Sequence, residues 1–441
     1  MNRILIILLL ASTGLSAQTK KIAYEDLMQP AVFSLSMVMM HDVVNPPAAS
    51  RYYAYCTLGA YDLVAQHDST VVSPSAFLKR YTPVLISINP KAYDYRLAAL
   101  YSVYEAGRLL LPSGYMLEEK QAGFIAFLKK QRIKQPIIDS SVAVAKAVAA
   151  HIVAWSKQDN YGKLSARLRY TPLKGEGMWY PTPPAYMEAV EPNWKTIKTL
   201  VVDSCNQFVP LRPASFSKDS TTAFFSLAKE VYEVSKNLSQ EQLNIAGFWD
   251  CNPFAVANAG HMSIGFKKIS PGAHWMNIAA IAAKKAGLNF GKVIQLHAVE
   301  AITLMDAFIC CWDEKFRSNR IRPETYINRY MDIKWQPLLQ TPPFPEYPSG
   351  HSVISTASAE VLSYLLGENV SFTDDTQEMF ELQPRTFSSF RQAAQEAAIS
   401  RLYGGIHFRD AIEQGQVEGA AVGKFICDKL GAAGIRRLNK H

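Results

Sequence analysis

Lys315, Arg322, Ser349, Gly350, His351, Arg401 and His407 are the residues whose types and spacing could do chemistry. They offer cationic side chains, a hydroxyl, a glycine amide that no side chain shields and two imidazoles. Arg makes forked, charge-assisted hydrogen bonds and Lys adds a compact positive charge, so the set suits a tetrahedral or trigonal-bipyramidal oxyanion such as phosphate or vanadate. A divalent metal fits badly, because carboxylates are few among these residues and the cations would repel it.

Each element taken alone has a plainer reading. Lys315 and Arg322 at this spacing most often mark a solvated helix face, although Pro323 puts Arg322 at or beyond a helix end, where a turn aims it. Ser349 is a natural N-cap before an apolar helical run, and the free N–H groups of that first turn favour an anion. Gly404 and Gly405 end a helix after Arg401 and would let backbone approach a bound group, and they present His407 six residues beyond Arg401. His41, His261, His274, His297 and the terminal His441 lack a strong ligand spacing and read as structural or surface groups.

The elements that must position these residues are helical. Apolar residues recur at three- and four-residue spacing over Tyr95 to Leu110, Ser141 to Ser156, Ser220 to Val234, His274 to Lys285, Val293 to Glu314, Gly350 to Leu366, Ser388 to Tyr403 and Ala411 to Leu430. Strand-like alternation is scarce, so the fold class is all-α. Asn45 to Ala48, Tyr170 to Pro192 and Trp335 to Pro348 are rich in Pro or Gly and read as stiff, ordered loops. The aromatics Trp179, Tyr180, Tyr186 and Trp194 indicate that the second of these connectors packs against the body.

With 441 residues, 49% hydrophobic and 19% charged, the chain is an ordinary globule long enough to bury a large core. Lys plus Arg exceed Asp plus Glu by 46 to 38, a formal +8 that is mild at this length; no basic stripe interleaved with aromatics points to nucleic acid. Residues 1–17 have the charged start, apolar run and small-residue exit of a secretory signal peptide, which implies an exported chain, periplasmic or extracellular, with no membrane span. The six cysteines, Cys56, Cys205, Cys251, Cys310, Cys311 and Cys427, follow no disulfide-scaffold or zinc spacing and read as mostly buried and incidental. Residues 18–441 form a single large helical domain, with an N-terminal half to about 170 and a catalytic half from about 193. Ala- and Leu-rich helix faces suit an oligomer and a monomer's core alike.

Lys315-x6-Arg322-Pro323, Pro348-Ser349-Gly350-His351 and Ser400-Arg401-x5-His407 resemble, in order and spacing, the three signatures of the superfamily joining vanadium-dependent haloperoxidases with type 2 phosphatidic acid phosphatases. Pro46 to Arg51 and Trp179 to Pro184 extend the likeness toward secreted bacterial haloperoxidases, some of which oxidise iodide. The resemblance implies a fold of helical bundles and a vanadate cofactor, with no haem, flavin or nicotinamide. His407 would bind vanadium, Lys315, Arg322, Arg401, Ser349 and Gly350 would hold its oxygens, and His351 would be the acid–base group. Trp312 and Phe344 would line the halide side.

The reaction implied is oxidation of halide, iodide first and bromide second, by hydrogen peroxide, with small organic acceptors taking the halogen. Two alternatives share the site: a vanadate-inhibited acid phosphatase working through a phosphohistidine, and a non-catalytic relative that binds oxyanions. The superfamily usually places an Asp four residues after the last His. This chain has Ala411 there, and Asp410, one residue earlier, is the candidate to orient His407.

Overall fold

A computed structural model describes residues 22–259 and 262–439. The signal segment 1–17, His261 and His441 lie outside the described residues. Five helices come first: α1 (Met28–His41), α2 (Pro46–Ala65), α3 (Tyr95–Leu110), α4 (Leu117–Lys130) and α5 (Gln135–Ser156). A long irregular stretch leads to α6 (Ala223–Lys236), α7 (Gln240–Phe248) and an antiparallel hairpin of β1 (Ala255–Ala259) and β2 (Met262–Phe266). Then come α8 (Pro271–Lys285), α9 (Phe290–Ser318), α10 (Pro323–Tyr330) and α11 (Gly350–Leu366). A short antiparallel pair, β3 (Phe372–Asp374) and β4 (Arg385–Phe387), precedes α12 (Phe390–Tyr403) and α13 (Arg409–Ala432). The chain is all-α in class, its strands confined among the described residues to these two pairs.

The centre of the molecule is α9. It packs on α2 and α8 on one side and on α11 and α13 on the other, while α3 and α5 complete the first bundle and α12 the second. From Phe290 to Lys315 nearly every residue is buried. Its apolar window is wholly enclosed although long enough to cross a membrane; Gln135–Ala166 also passes that test of length and composition, with its window partly buried. One apolar core runs from Tyr24 to Leu438 across both bundles.

Two charged groups buried in this core tie distant segments together by pairing with specific partners. Asp306, in the middle of α9, accepts the backbone N–H groups of Leu200, Val201 and Val202 at 2.7–2.8 Å. It thereby ties the irregular stretch to the central helix. Arg51 on α2 pairs with Asp159 at 2.6 Å in the same way.

Helix ends follow local chemistry. Asn45 caps α2 by accepting from the N–H of Ala48 at 2.9 Å, and Pro46 stands in the first turn, where its missing N–H costs nothing. Asn45 to Ala48 is therefore a helix start and not the loop expected from its prolines. The other two connectors are irregular: Trp179 and Trp194 are buried, whereas Tyr186 is exposed. Asn319 ends α9 in the left-handed region, and the turn after it makes Arg322 the N-cap residue of α10.

Gly415, Gly419 and Gly423 form a seam along α13 that lets it approach the backbone of α11. A Cβ at Gly419 would stand 2.2 Å from the carbonyl oxygen of Val353, and one at Gly415 2.9 Å from that of Ser349. This seam sets the height of the first turn of α11, which carries Ser349, Gly350 and His351.

Candidate active site

Four chain segments meet at one end of the second bundle. The last turns of α9 bring Trp312 and Lys315, the α9–α10 turn brings Arg322, the proline-rich loop and start of α11 bring Phe344 to His351, and the end of α12 with the loop beyond brings Arg401 and His407. Lys315, Arg322, Ser349, Arg401 and His407 are all buried. A cavity lined by Trp312, Phe344, Gly350, His351, Arg401 and His407 leads into the group.

Each cation is aimed by backbone. Lys315 donates from Nζ to the carbonyls of Pro345 and Glu346, both at 3.2 Å, and to that of Pro348. Its ammonium thus ties down the loop as well as charging the site. Arg322 donates from Nε to the carbonyl of Phe344 at 3.0 Å and from Nη1 to that of Ile406 at 2.9 Å, while its Nη2 is buried with no partner. Arg401 is anchored through Nε to the Ser400 hydroxyl at 2.9 Å. Burial pulls Lys315 down to about 8 and Arg322 down to about 9, and lowers Arg401 as well. A group of enclosed cations that resists its own charge is one that a bound anion stabilises.

A carboxylate settles the tautomer of His407. Glu346 accepts from Nδ1 of His407 at 2.9 Å, which leaves the Nε2 lone pair facing the cations, 3.2 Å from Nη1 of Arg322. His351 is hydrogen-bonded to the backbone of Trp249, and its Nε2 is enclosed without a partner. Burial first, then the charge of Arg401, holds His351 well below its usual range; burial and Arg322 do the same to His407. Both imidazoles are therefore neutral near pH 7, with lone pairs available.

Trp312 and Phe344 stand together, ring centroids 4.9 Å apart, with Lys315 Nζ 5.1 Å from the Phe344 centroid. They make the wall opposite the histidines apolar. At Gly350 a Cβ would meet Trp312 at 3.7 Å and Lys315 at 3.8 Å, so a side chain there would fill the space between the apolar wall and the lysine.

Asp410 does not touch His407. Its carboxylate takes both Nη groups of Arg320, at 2.6 and 2.7 Å, and Arg320 in turn holds Oε2 of Glu346 through Nε at 2.6 Å. The imidazole is oriented by Glu346, and Asp410 acts two ion pairs away. Glu346 and Arg320 were missed in the sequence. The available signal was a lone carboxylate in an apolar, proline-stiffened run, Phe344 to Pro348, which has to be buried and therefore paired. Gly404 and Gly405 also serve differently from expectation. A Cβ at Gly404 would stand 2.7 Å from Leu339 and one at Gly405 3.1 Å from Pro337, so they make room for the proline-rich loop and not for a ligand.

The donor set fits vanadate. Buried cations lacking a full set of counter-charges, an unpartnered guanidinium nitrogen and an imidazole with an inward lone pair are what a small oxyanion with one axial nitrogen ligand needs. Among the described residues no His, Cys, Asp and Glu cluster suits a simple metal ion.

Residues 329–433 match the family described as the VCPO second helical-bundle domain. The chain is 40% identical to a protein solved as the first bacterial vanadium-dependent iodoperoxidase, covering 93% of this chain and 98% of that one with a TM-score of 0.87. A bacterial vanadium-dependent chloroperoxidase in its holo form is 14% identical over 95% of this chain and 99% of that one, TM-score 0.70. The apo form of such an enzyme is 15% identical over 89% and 95%, TM-score 0.66. At these identities the chloroperoxidases speak for the fold alone. No curated protein matches.

Proposed function

The chain belongs to the vanadium-dependent haloperoxidase family, and on that footing we propose that it oxidises halide with hydrogen peroxide at a bound vanadate, iodide first and bromide second. The observation that carries the reading is the neutral imidazole of His407, braced by Glu346, with its Nε2 directed at a group of buried cations, 3.2 Å from Nη1 of Arg322.

In this reading His407 would hold vanadate through its ring nitrogen, and Arg322, Arg401, Lys315, Ser349 and the Gly350 amide would hold its oxygens. Bound vanadate supplies a centre that activates peroxide for transfer of an oxygen to halide without changing its own oxidation state. The protein's part is positional and electrostatic. Cations fixed by backbone carbonyls and the Ser400 hydroxyl face the oxyanion without reorganising, at the end of the cavity that leads to them. His351, neutral and with Nε2 unpartnered, would be the acid–base group that takes up a proton at that atom and gives it back. Trp312 and Phe344 offer a polarisable, dry wall to a large, weakly hydrated halide.

The missing Asp after His407 carries no weight against a phosphohistidine mechanism, because Glu346 supplies the carboxylate that such a nucleophile uses. Measuring iodination and p-nitrophenyl phosphate hydrolysis on one preparation, with and without vanadate, tests the proposal. Iodide oxidation that requires both vanadate and peroxide is expected. Hydrolysis inhibited by vanadate, with no halide oxidation, would overturn it.

A further inference from the structure

A second reactive grouping lines the same cavity and has no part in holding the oxyanion. Cys251 stands in the cavity wall with His351, Arg401 and His407. Its Sγ lies 3.4 Å from Nδ1 of His274, and Nε2 of that ring meets Oδ2 of Asp374 at 2.8 Å. The three residues come from the loop after α7, the first turn of α8 and the end of β3, and all are buried. His274, read from sequence as structural, is thus the middle member of a Cys–His–Asp line.

The line has the logic of an activated nucleophile. Asp374 also accepts the N–H of Thr376 at 3.0 Å, and although burial alone would raise its carboxyl, the charge of His274 holds it below its usual range. A carboxylate on Nε2 fixes the proton there and leaves Nδ1 to take one from the thiol. Burial alone would lower His274, yet Asp374 and Cys251 together raise it to about 10, so the ring holds a second proton readily. Trp249 stacks on the imidazole at 4.6 Å and is itself pinned through Nε1 to Glu396 at 3.0 Å, which prevents the ring from turning away. Gln377 Nε2 lies 3.2 Å from Nδ1 of His274 and 4.0 Å from Sγ, so once Nδ1 has taken the thiol proton the amide turns its donor to the developing thiolate.

We propose that Cys251 is a peroxide-reactive thiol, activated by His274 and Asp374, that is oxidised to a sulfenic acid by peroxide entering the cavity. The inference rests on the proposed function only for the supply of that peroxide. The thiol proton passes to His274 Nδ1; the sulfur attacks one peroxide oxygen, forming S–O as O–O breaks; the departing hydroxide takes the proton back from His274 and leaves as water. Sulfur loses two electrons and peroxide gains them, so that thiol plus hydrogen peroxide gives sulfenic acid plus water. The product adds a polar oxygen to the wall beside His351 and Arg401. Exposure to excess peroxide before halide is added therefore lowers the turnover measured afterwards, and a thiol reductant restores it.

The test uses the full protein without vanadate or halide. After brief exposure to peroxide and quenching with catalase, the protein is unfolded in dimedone and its peptides are mapped by mass spectrometry. The expected result is an adduct on Cys251 that forms about tenfold or more faster than on the partly exposed Cys205, and that slows by a similar factor in His274→Gln. Should that variant not fold, alkylation of wild-type Cys251 against Cys205 by iodoacetamide, without peroxide, reads the same activation. Cys251 reacting no faster than Cys205 in a preparation that oxidises iodide once vanadate is restored overturns this proposal and leaves the proposed function standing. The adduct in a preparation without halide oxidation supports the thiol and counts against the other reading.

Discussion

Oε1 of Glu346 accepts the Nδ1–H of His407 at 2.9 Å and the backbone N–H of Phe408 at the same distance, so one oxygen fixes both the ring and the chain that carries it. Replacing it with the isosteric amide keeps the shape, removes the charge that makes the imidazole basic, and leaves Arg320 with one carboxylate in place of two. Glu346→Gln is expected to weaken vanadate binding by about 10- to 100-fold, measured by calorimetric titration. Unchanged affinity would deny Glu346 this role.

His407 and His351 should separate by experiment. His407→Ala removes the proposed ligand and is expected to abolish both vanadate binding and iodide oxidation. His351→Ala is expected to lose about 10²- to 10⁴-fold in turnover while keeping most of the binding, because general acid–base catalysis contributes on that scale. Titration and steady-state assays on the same samples make the comparison.

Phe344 stands against Trp312 and beneath both Lys315 and Arg322. Phe344→His places a polar ring in that apolar wall and is expected to shift the ratio of kcat/KM for iodide over bromide by about tenfold, without unfolding the protein. An unchanged ratio would remove Phe344 from the halide side.

The charge of Lys315 gives oxyanion binding a pH dependence. In the anion-free protein burial brings this amine down to about 8, so above that pH it is neutral and an arriving anion must recruit a proton. Affinity is therefore expected to be full below about pH 8 and to fall as pH rises through it. Sulfate, whose own charge is constant over this range, is the probe. Lys315→Met is expected to flatten the profile.

The seam between α11 and α13 has no room for a methyl group. Gly419→Ala would press on the Val353 carbonyl and is expected to cost roughly 1–3 kcal/mol of stability. Gly123→Ala, where nothing lies within 4 Å, is the control and is expected to be neutral or slightly stabilising by thermal melting.

Much of this arrangement could be read in the chain because the periodic helices kept their places: Tyr95–Leu110 and Gly350–Leu366 begin and end where apolar spacing put them. Lys315, Arg322, His351, Arg401 and His407 stood out in the sequence because together they supply cations and imidazoles for an oxyanion and because their order and spacing resemble three family signatures, although each alone has a plainer reading. What was hidden depends on which side chains meet across distance. Glu346 reaches His407 over 61 positions, and Asp374 reaches His274 over 100, so neither pairing has a local pattern. Pro46 misled because proline reads alike in a loop and in the first turn of a helix.

The segment from Phe290 to Ser318 aims the lysine that charges the site, and it is also a long greasy rod whose apolar window is wholly enclosed. Released from its neighbours by heat, it would present a surface that water cannot tolerate and that other copies would stick to. Catalytic death and clumping are then a single irreversible event, so the lifetime of this protein is governed by how rarely that rod slips free.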